Sequence, residues 1–230
     1  MPRVRVTLAT AFVAMIALSS CSSSGDEPGS TPGAPAGGKP TAASPAPKPI
    51  TKPLPQAALT QALLGDGETL PGWSLHGDKS VVEDGQYCNT SHNDSAPRGW
   101  MRGSDASYEY NGSTRNMTHV HICLFDTVEN AHAAYLAWKG TEASKEQPLK
   151  PPVGDESTLV INPGLSDDTV YGFSRSGRAN IRVRVEGGTG GDPSGAQATL
   201  AATLKRLQQL QDGKPATVRA SDEQVAVPGT

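Results

Sequence analysis

The chain has little charge of either sign to spare: 20 Lys and Arg face 23 Asp and Glu, for a net −3. That balance supplies no basic field for a phosphate backbone, so no nucleic-acid partner is expected. Beyond residue 18 there is no second long apolar run, and no internal repeat. Catalytic signatures are missing too. "GFSRSG", residues 172–177, is not Gly-x-Ser-x-Gly, which removes the nucleophile elbow. "EGGTGGDPSG", residues 186–195, has the glycines of a phosphate loop, but Ala196-Gln197 follows instead of Lys-Ser or Lys-Thr. Pro193 also stands where the dinucleotide spacing needs its third glycine. A strand-to-helix connector is expected there. No catalytic residue and no cofactor are expected anywhere. Aromatics make up 5% of the chain. Of the three tryptophans Trp73, Trp100 and Trp138, the last belongs to a helix core, which leaves Trp100 as the exposed ring.

What is present begins with an address. Arg3 and Arg5 precede an uncharged stretch from Val6 to Leu18, then small residues. This is the pattern of a secretory signal, and it is shorter than the roughly 20 residues of a comfortable membrane span. Leu18-Ser19-Ser20-Cys21 closely resembles the lipobox of bacterial lipoproteins. In that family the cysteine thiol receives a diacylglycerol, with acyl chains such as palmitate, and cleavage leaves the cysteine first. The resemblance implies a signal peptide over 1–20, lipidation at Cys21, and a mature chain held at the outer face of the cytoplasmic membrane. Two acyl chains anchor stably where one does not.

From Ser22 to Pro55 the chain is mostly Ser, Gly, Pro, Ala, Thr and Lys, with nine of the 19 prolines. Such a segment cannot bury enough apolar surface to offset its ordering entropy. Residues 21–55 therefore read as a disordered, lipid-anchored linker that reaches about 100 Å if extended as polyproline II. Residues 56–212 suit one domain, and the polar, aperiodic 213–230 reads as a disordered tail. Three cysteines leave an odd one in an exported chain. With Cys21 acylated, Cys88 and Cys123 remain, as a disulfide in an oxidising compartment, or as metal ligands or reactive thiols.

Within the domain, Pro55 and Gly65 bracket a short helix. A strand is expected over 74–83, and a long loop over most of 89–116, with a strand at 107–110 as its one regular piece. Residues 118–125 alternate: Val120, Ile122 and Leu124 on one face, His119, His121 and Cys123 on the other. Asp126 to Glu129 fits a capping box, opening a helix to Lys139 with Val128, Ala131, Tyr135 and Trp138 as its stripe. Strands are expected at 158–161, 169–174 and 178–185, the last two as a hairpin about Ser176-Gly177. A final helix starts at Asp192-Pro193, buries Leu200, Leu204, Leu207 and Gln211, and stops at Gly213. The whole predicts an α+β fold: an antiparallel sheet with amphipathic helices mainly on one face.

"ALLGDGETLPGW" at 62–73, "VHICLFDTVENAHAAY" at 120–135 and "VGDES" at 153–157 resemble actinobacterial envelope lipoproteins with a sensor-like extracellular domain. Such domains are similar to the extracellular part of certain mycobacterial serine/threonine kinases. That family usually carries two disulfides, and this chain has cysteines for one besides Cys21. The resemblance implies a non-catalytic binding or sensing module.

Two clusters carry the remaining chemistry. His119 and His121 project on one strand face, a geometry for two metal ligands, with His76, His92 or Asp94 to complete a set. Nothing at fixed spacing completes it. Arg178, Arg182 and Arg184 form a basic stripe suited to an anionic wall polymer, a phospholipid headgroup or a carboxylate partner, or a guarded edge strand. The expectation is a membrane-anchored, non-enzymatic binding module whose partners are the membrane, a wall polymer or an envelope protein. A metal-assisted wall enzyme and a scaffold for another membrane protein are the alternatives.

Overall fold

A computed structural model describes residues 48–89, 95–140, 146–163, 168–187 and 193–224. Seven strands form one antiparallel sheet: β1 (Trp73–Val82), β2 (Trp100–Tyr110), β3 (Ser113–Phe125), β4 (Glu146–Pro148), β5 (Glu156–Asn162), β6 (Thr169–Ser176) and β7 (Ala179–Glu186). Their order across the sheet is β1-β2-β3-β7-β6-β5-β4. The helices are α1 (Gln56–Ala62), α2 (Val128–Lys139) and α3 (Pro193–Gln211). The domain is α+β, with α1 and α3 on one face of the sheet and α2 on the other.

The alternation of β3 makes this division. Val120, Ile122 and Leu124 join the larger core with Leu59, Leu63, Leu200, Leu204 and Leu207 of the α1–α3 side. Cys123 and Phe125 point the other way, into a smaller core with Ala131, Tyr135 and Trp138 of α2. At Gly172 a methyl group would come within 2.6 Å of Leu200 Cδ1, so α3 packs closely on β6 there and a side chain would require Leu200 to shift.

Several expectations are corrected. Residues 100–106 and 113–116 are strand, not loop, and the strand expected at 107–110 is the end of β2. Ser104, Ala106 and Tyr108 face the larger core and are buried, while Asp105, Ser107 and Glu109 alternate onto the polar face, and this hides the strand from a hydrophobicity reading. Asn111 (φ 50°) and Gly112 (φ 72°) form the turn into β3, as an Asn-Gly hairpin requires. The cap of α2 is Thr127, whose hydroxyl accepts from the Asn130 N–H at 3.1 Å. This one-residue shift leaves Val128 exposed. Residues 48–54 belong to the domain: Ile50 and Leu54 are buried. Gln211 fixes them, its amide oxygen accepting from the Thr51 and Lys52 N–H groups at 2.7 and 3.1 Å. Residues 214–224 are likewise packed. Ala220 is fully buried and donates to the Glu68 carbonyl at 2.8 Å, because α3 presents polar hooks that hold an otherwise aperiodic segment. His92, Asp94, Asp192 and the glycines at 188, 190 and 191 lie outside the described residues, as do Cys21 and residues 1–47.

Candidate functional site

On the α1–α3 side, one end of the sheet borders a half-open cavity of about 480 Å³. The turn Leu70-Pro71-Gly72-Trp73 forms one wall. It is closed by the Trp73 N–H donating to the Leu70 carbonyl at 3.0 Å, and by the Thr69 hydroxyl donating to the Trp73 carbonyl at 2.7 Å. Trp73 opens β1 directly opposite Tyr110, the last residue of β2. Their rings sit 5.5 Å apart at 57°, a tilted arrangement favoured by the ring quadrupoles. Tyr108 forms the floor. Its hydroxyl donates to the Leu64 carbonyl at 3.0 Å, and burial pushes the phenol well above its usual range, so it stays protonated.

Leu64, Val185 and Gly195 complete the apolar lining, and Thr118, Thr199 and Gln224 add polar groups. Thr118 and Thr199 are buried from bulk solvent. Among the described residues, no Asp, Glu, Lys, Arg or His lines the cavity. An apolar hollow with a few convergent polar groups is the usual form of a small-molecule site, and its volume falls in the usual range of roughly 300–1,000 Å³.

The opposite face carries the residues singled out in the sequence. Ser107, His119 and Arg184 are register partners, as are Asp105, His121 and Arg182 one pair further along. Both ring nitrogens of His119 are engaged: Nδ1 with the Ser107 hydroxyl at 2.9 Å and Nε2 with Glu186 at 3.2 Å. His121 stacks on Tyr87, centroids 5.5 Å apart. Among the described residues no third His, Cys, Asp or Glu joins them to hold a metal. His76, the suggested third ligand, instead meets Glu109 at 3.0 Å. Burial raises the Asp105 carboxyl above its usual range, partly offset by His119.

The basic stripe does not form as a unit. Arg178 Nε donates to the Phe125 carbonyl at 3.0 Å, and its terminal nitrogen to that of Asp126. Asn180 turns inward and donates to the Ala131 carbonyl at 2.8 Å. Arg182 lies 4.6 Å over the Trp138 ring. Arg184 pairs with Glu186 at 2.5 Å and lies 5.8 Å from the centre of the Tyr171 ring. These guanidinium groups hold the sheet face and α2 in place. Cys88 and Cys123 form a disulfide, with Cα atoms 5.9 Å apart.

Of the tryptophans, Trp138 is buried as expected, but Trp100 is only half-exposed, packed against the α2 core. Trp73 is the ring at the cavity. "LPGW" is its signal in the sequence: a turn that hands an aromatic to the first residue of a strand.

No protein-family model and no curated protein matches this chain. A crystal structure of the extracellular domain of PknH from Mycobacterium tuberculosis does, at 12% identity and a TM-score of 0.52, covering 69% of this chain and 98% of that one. The domain shares the fold of the PknH extracellular domain. The likeness takes in nearly all of that domain and most of the part of this chain outside residues 1–47. No helix among the described residues is long and apolar enough to cross a membrane.

Proposed function

We propose that this chain is a lipid-anchored extracytoplasmic protein that presents a non-catalytic, sensor-like binding domain in the cell envelope. The observation that carries the binding role is the cavity behind Trp73, Tyr108 and Tyr110: half-open, largely apolar and, among the described residues, lined by no Asp, Glu, Lys, Arg, His or Cys. Cys21, after an apolar run and before a Pro-rich stretch, supports the anchor. The shared fold with an extracellular domain and the Cys88–Cys123 disulfide support an oxidising, extracytoplasmic setting.

The architecture suits presentation at a distance from a membrane. Ile50 sits at the β6–β7 turn, where its carbonyl accepts from the Arg178 N–H at 2.8 Å. The cavity is lined by Val185 at the other end of β7. Six residues of strand separate Ala179 from Val185, about 20 Å at strand rise. A tether arriving before Ile50 thus holds the domain by the end remote from its cavity.

The anchor is tested in a host that processes lipoproteins. The wild-type chain should fractionate with membranes and gain the mass of a diacylglyceryl cysteine, and Cys21→Ala should appear in the medium or periplasm. Membrane retention of Cys21→Ala, or a wild-type mass without lipid, overturns the anchor.

A further inference from the structure

We infer that the cavity takes a neutral amphiphile: an uncharged hydrogen-bonding head on an apolar body about the size of a ten-carbon chain. The inference rests on the reading of the domain as a binding module and goes on to name the class of its ligand.

The lining determines the charge. The twelve described residues of the lining are Leu, Pro, Trp, Tyr, Val, Gly, Thr and Gln, none carrying a charge at neutral pH. An ionised carboxylate or ammonium entering such a hollow would lose its water and gain no counter-charge, which is strongly unfavourable. Charged residues next in sequence to the lining are paired with other side chains, as Glu223 is with Lys205. Glu68 meets Arg206 at 3.0 Å, and Glu186 is held by His119 and Arg184 on the opposite face.

The polar groups determine the head. Two hydroxyls at the cavity are already used inside the protein, Thr69 on Trp73 and Tyr108 on Leu64. Those of Thr118 and Thr199, and the Gln224 amide, make no side-chain hydrogen bond among the described residues. Thr118 comes from β3 and Thr199 from α3, so two rigid elements place hydroxyl-bearing residues in one lining. A hydroxyl donates one hydrogen bond and accepts others. It therefore suits an alcohol, ester or amide head, which no ion pair would discriminate. The apolar remainder, with the tilted Trp73–Tyr110 pair at the mouth, fits an alkyl or ring body.

The test uses the processed chain, residues 21–230, with Cys21→Ser to keep it free of lipid and detergent, folded with its disulfide intact. Three probes share one chain length and differ only in head: 1-monodecanoylglycerol, decanoate at pH 8 and decyltrimethylammonium, each below its micelle concentration. Saturable change in tryptophan emission is followed, with Trp73→Phe to assign the signal and calorimetry as a second readout. Monodecanoylglycerol should bind and shift Trp73 emission to the blue, with both charged probes at least tenfold weaker. Thr118→Val with Thr199→Val should weaken the neutral probe about tenfold at unchanged circular dichroism. A charged probe that matches the neutral one at Trp73 overturns the ligand class and leaves the cavity as the site. Binding by calorimetry without any Trp73 response, or no binding of any probe, overturns the cavity assignment itself. Neither result bears on Cys21, whose fractionation test stands separately.

Discussion

Arg206 Nε donates to the Ala62 carbonyl at 3.0 Å, although 144 residues separate them. The same guanidinium also reaches the carbonyls of Gln61 at 2.9 Å and Val218 at 3.1 Å, and the Glu68 carboxylate at 3.0 Å. The last carbonyls of a helix have no partner within it, and α1 has no basic residue in its last turn. Arg206 supplies that cap from α3 and ties 214–224 to the same point. A planar fork of five donors suits several carbonyls at once, which a lysine ammonium cannot match. Arg206→Met should cost about 3 kcal/mol, from stranded buried carbonyls and an unpaired Glu68. Arg206→Lys should recover only a minor part. Urea unfolding of both variants measures this, and a loss under about 1 kcal/mol for Arg206→Met would remove the capping role.

The disulfide joins the 3₁₀ turn at Gln86–Cys88 to the C-terminal end of β3, across a separation of 35 residues. In the chain-entropy account, closing such a loop stabilises by about 4 kcal/mol. Cys88→Ser with Cys123→Ser should lower stability by that order and leave the α3 side of the fold intact, since both sulfurs lie in the smaller core. A thiol reagent should label neither residue without prior reduction. Stoichiometric labelling of the oxidised protein would contradict the bond.

Two carboxylates shift in opposite directions, and their mutants should respond to pH with opposite signs. Burial works against ionisation of Glu156, but hydrogen bonds from Arg175 at 2.6 Å and His132 at 2.9 Å outweigh it and hold the carboxyl below its usual range. A depressed folded value stabilises above the unfolded value of about 4.3, and the benefit fades as pH falls through the folded value. Glu156→Gln should therefore lower the melting temperature at pH 7 and converge with wild type in acid. Asp105 is raised by burial, so its charge costs stability at pH 7. Asp105→Asn should melt higher than wild type there. That advantage should vanish as pH drops through the raised folded value toward about 3.9. Melting curves from pH 3 to 8 decide both, and same-sign behaviour at pH 7 would refute the pairing.

How much of this was legible beforehand follows from burial on each side of each element. β3, α2, α3 and the β6–β7 hairpin announce themselves because each buries a full stripe, from Val120-Ile122-Leu124 to Leu200-Leu204-Leu207. β2 buries only one face and fills it with Ser104, Ala106 and Tyr108, so its hydrophobic signal is weak; the Asn111-Gly112 dipeptide was the readable clue. Residues 214–224 could not be read as ordered, since what fixes them is single polar contacts, from Arg206 on α3 and from the Glu68 carbonyl far off in sequence, and not a periodic apolar stripe. The arginines looked like a stripe by period two, yet Arg178 precedes β7 and turns to backbone carbonyls. The cavity itself was invisible. Its walls come from β1, β2, β3, β7 and α3 together, and no window of sequence contains more than one side of it.

Gly72 links the turn to the cavity and gives a last test. Its φ is +84°, and its carbonyl accepts from the Asn111 N–H at 2.8 Å, which stitches the "LPGW" turn to the β2–β3 hairpin. A methyl group on it would lie 2.5 Å from the Tyr110 ring. Gly72→Ala therefore meets two obstacles, a left-handed backbone that costs a residue with Cβ about 1–2 kcal/mol and a ring that must move. Tyr110 can swing only by breaking its contact with Trp73, which would open the mouth of the cavity. Gly72→Ala should lower stability by about 2 kcal/mol, redshift Trp73 emission and weaken any cavity ligand. Tyr110→Ala in the same chain removes the clash and leaves the backbone cost. The double variant should thus regain part of the stability lost by Gly72→Ala relative to Tyr110→Ala alone. Strict additivity of the two changes would show that the ring and the turn are not coupled.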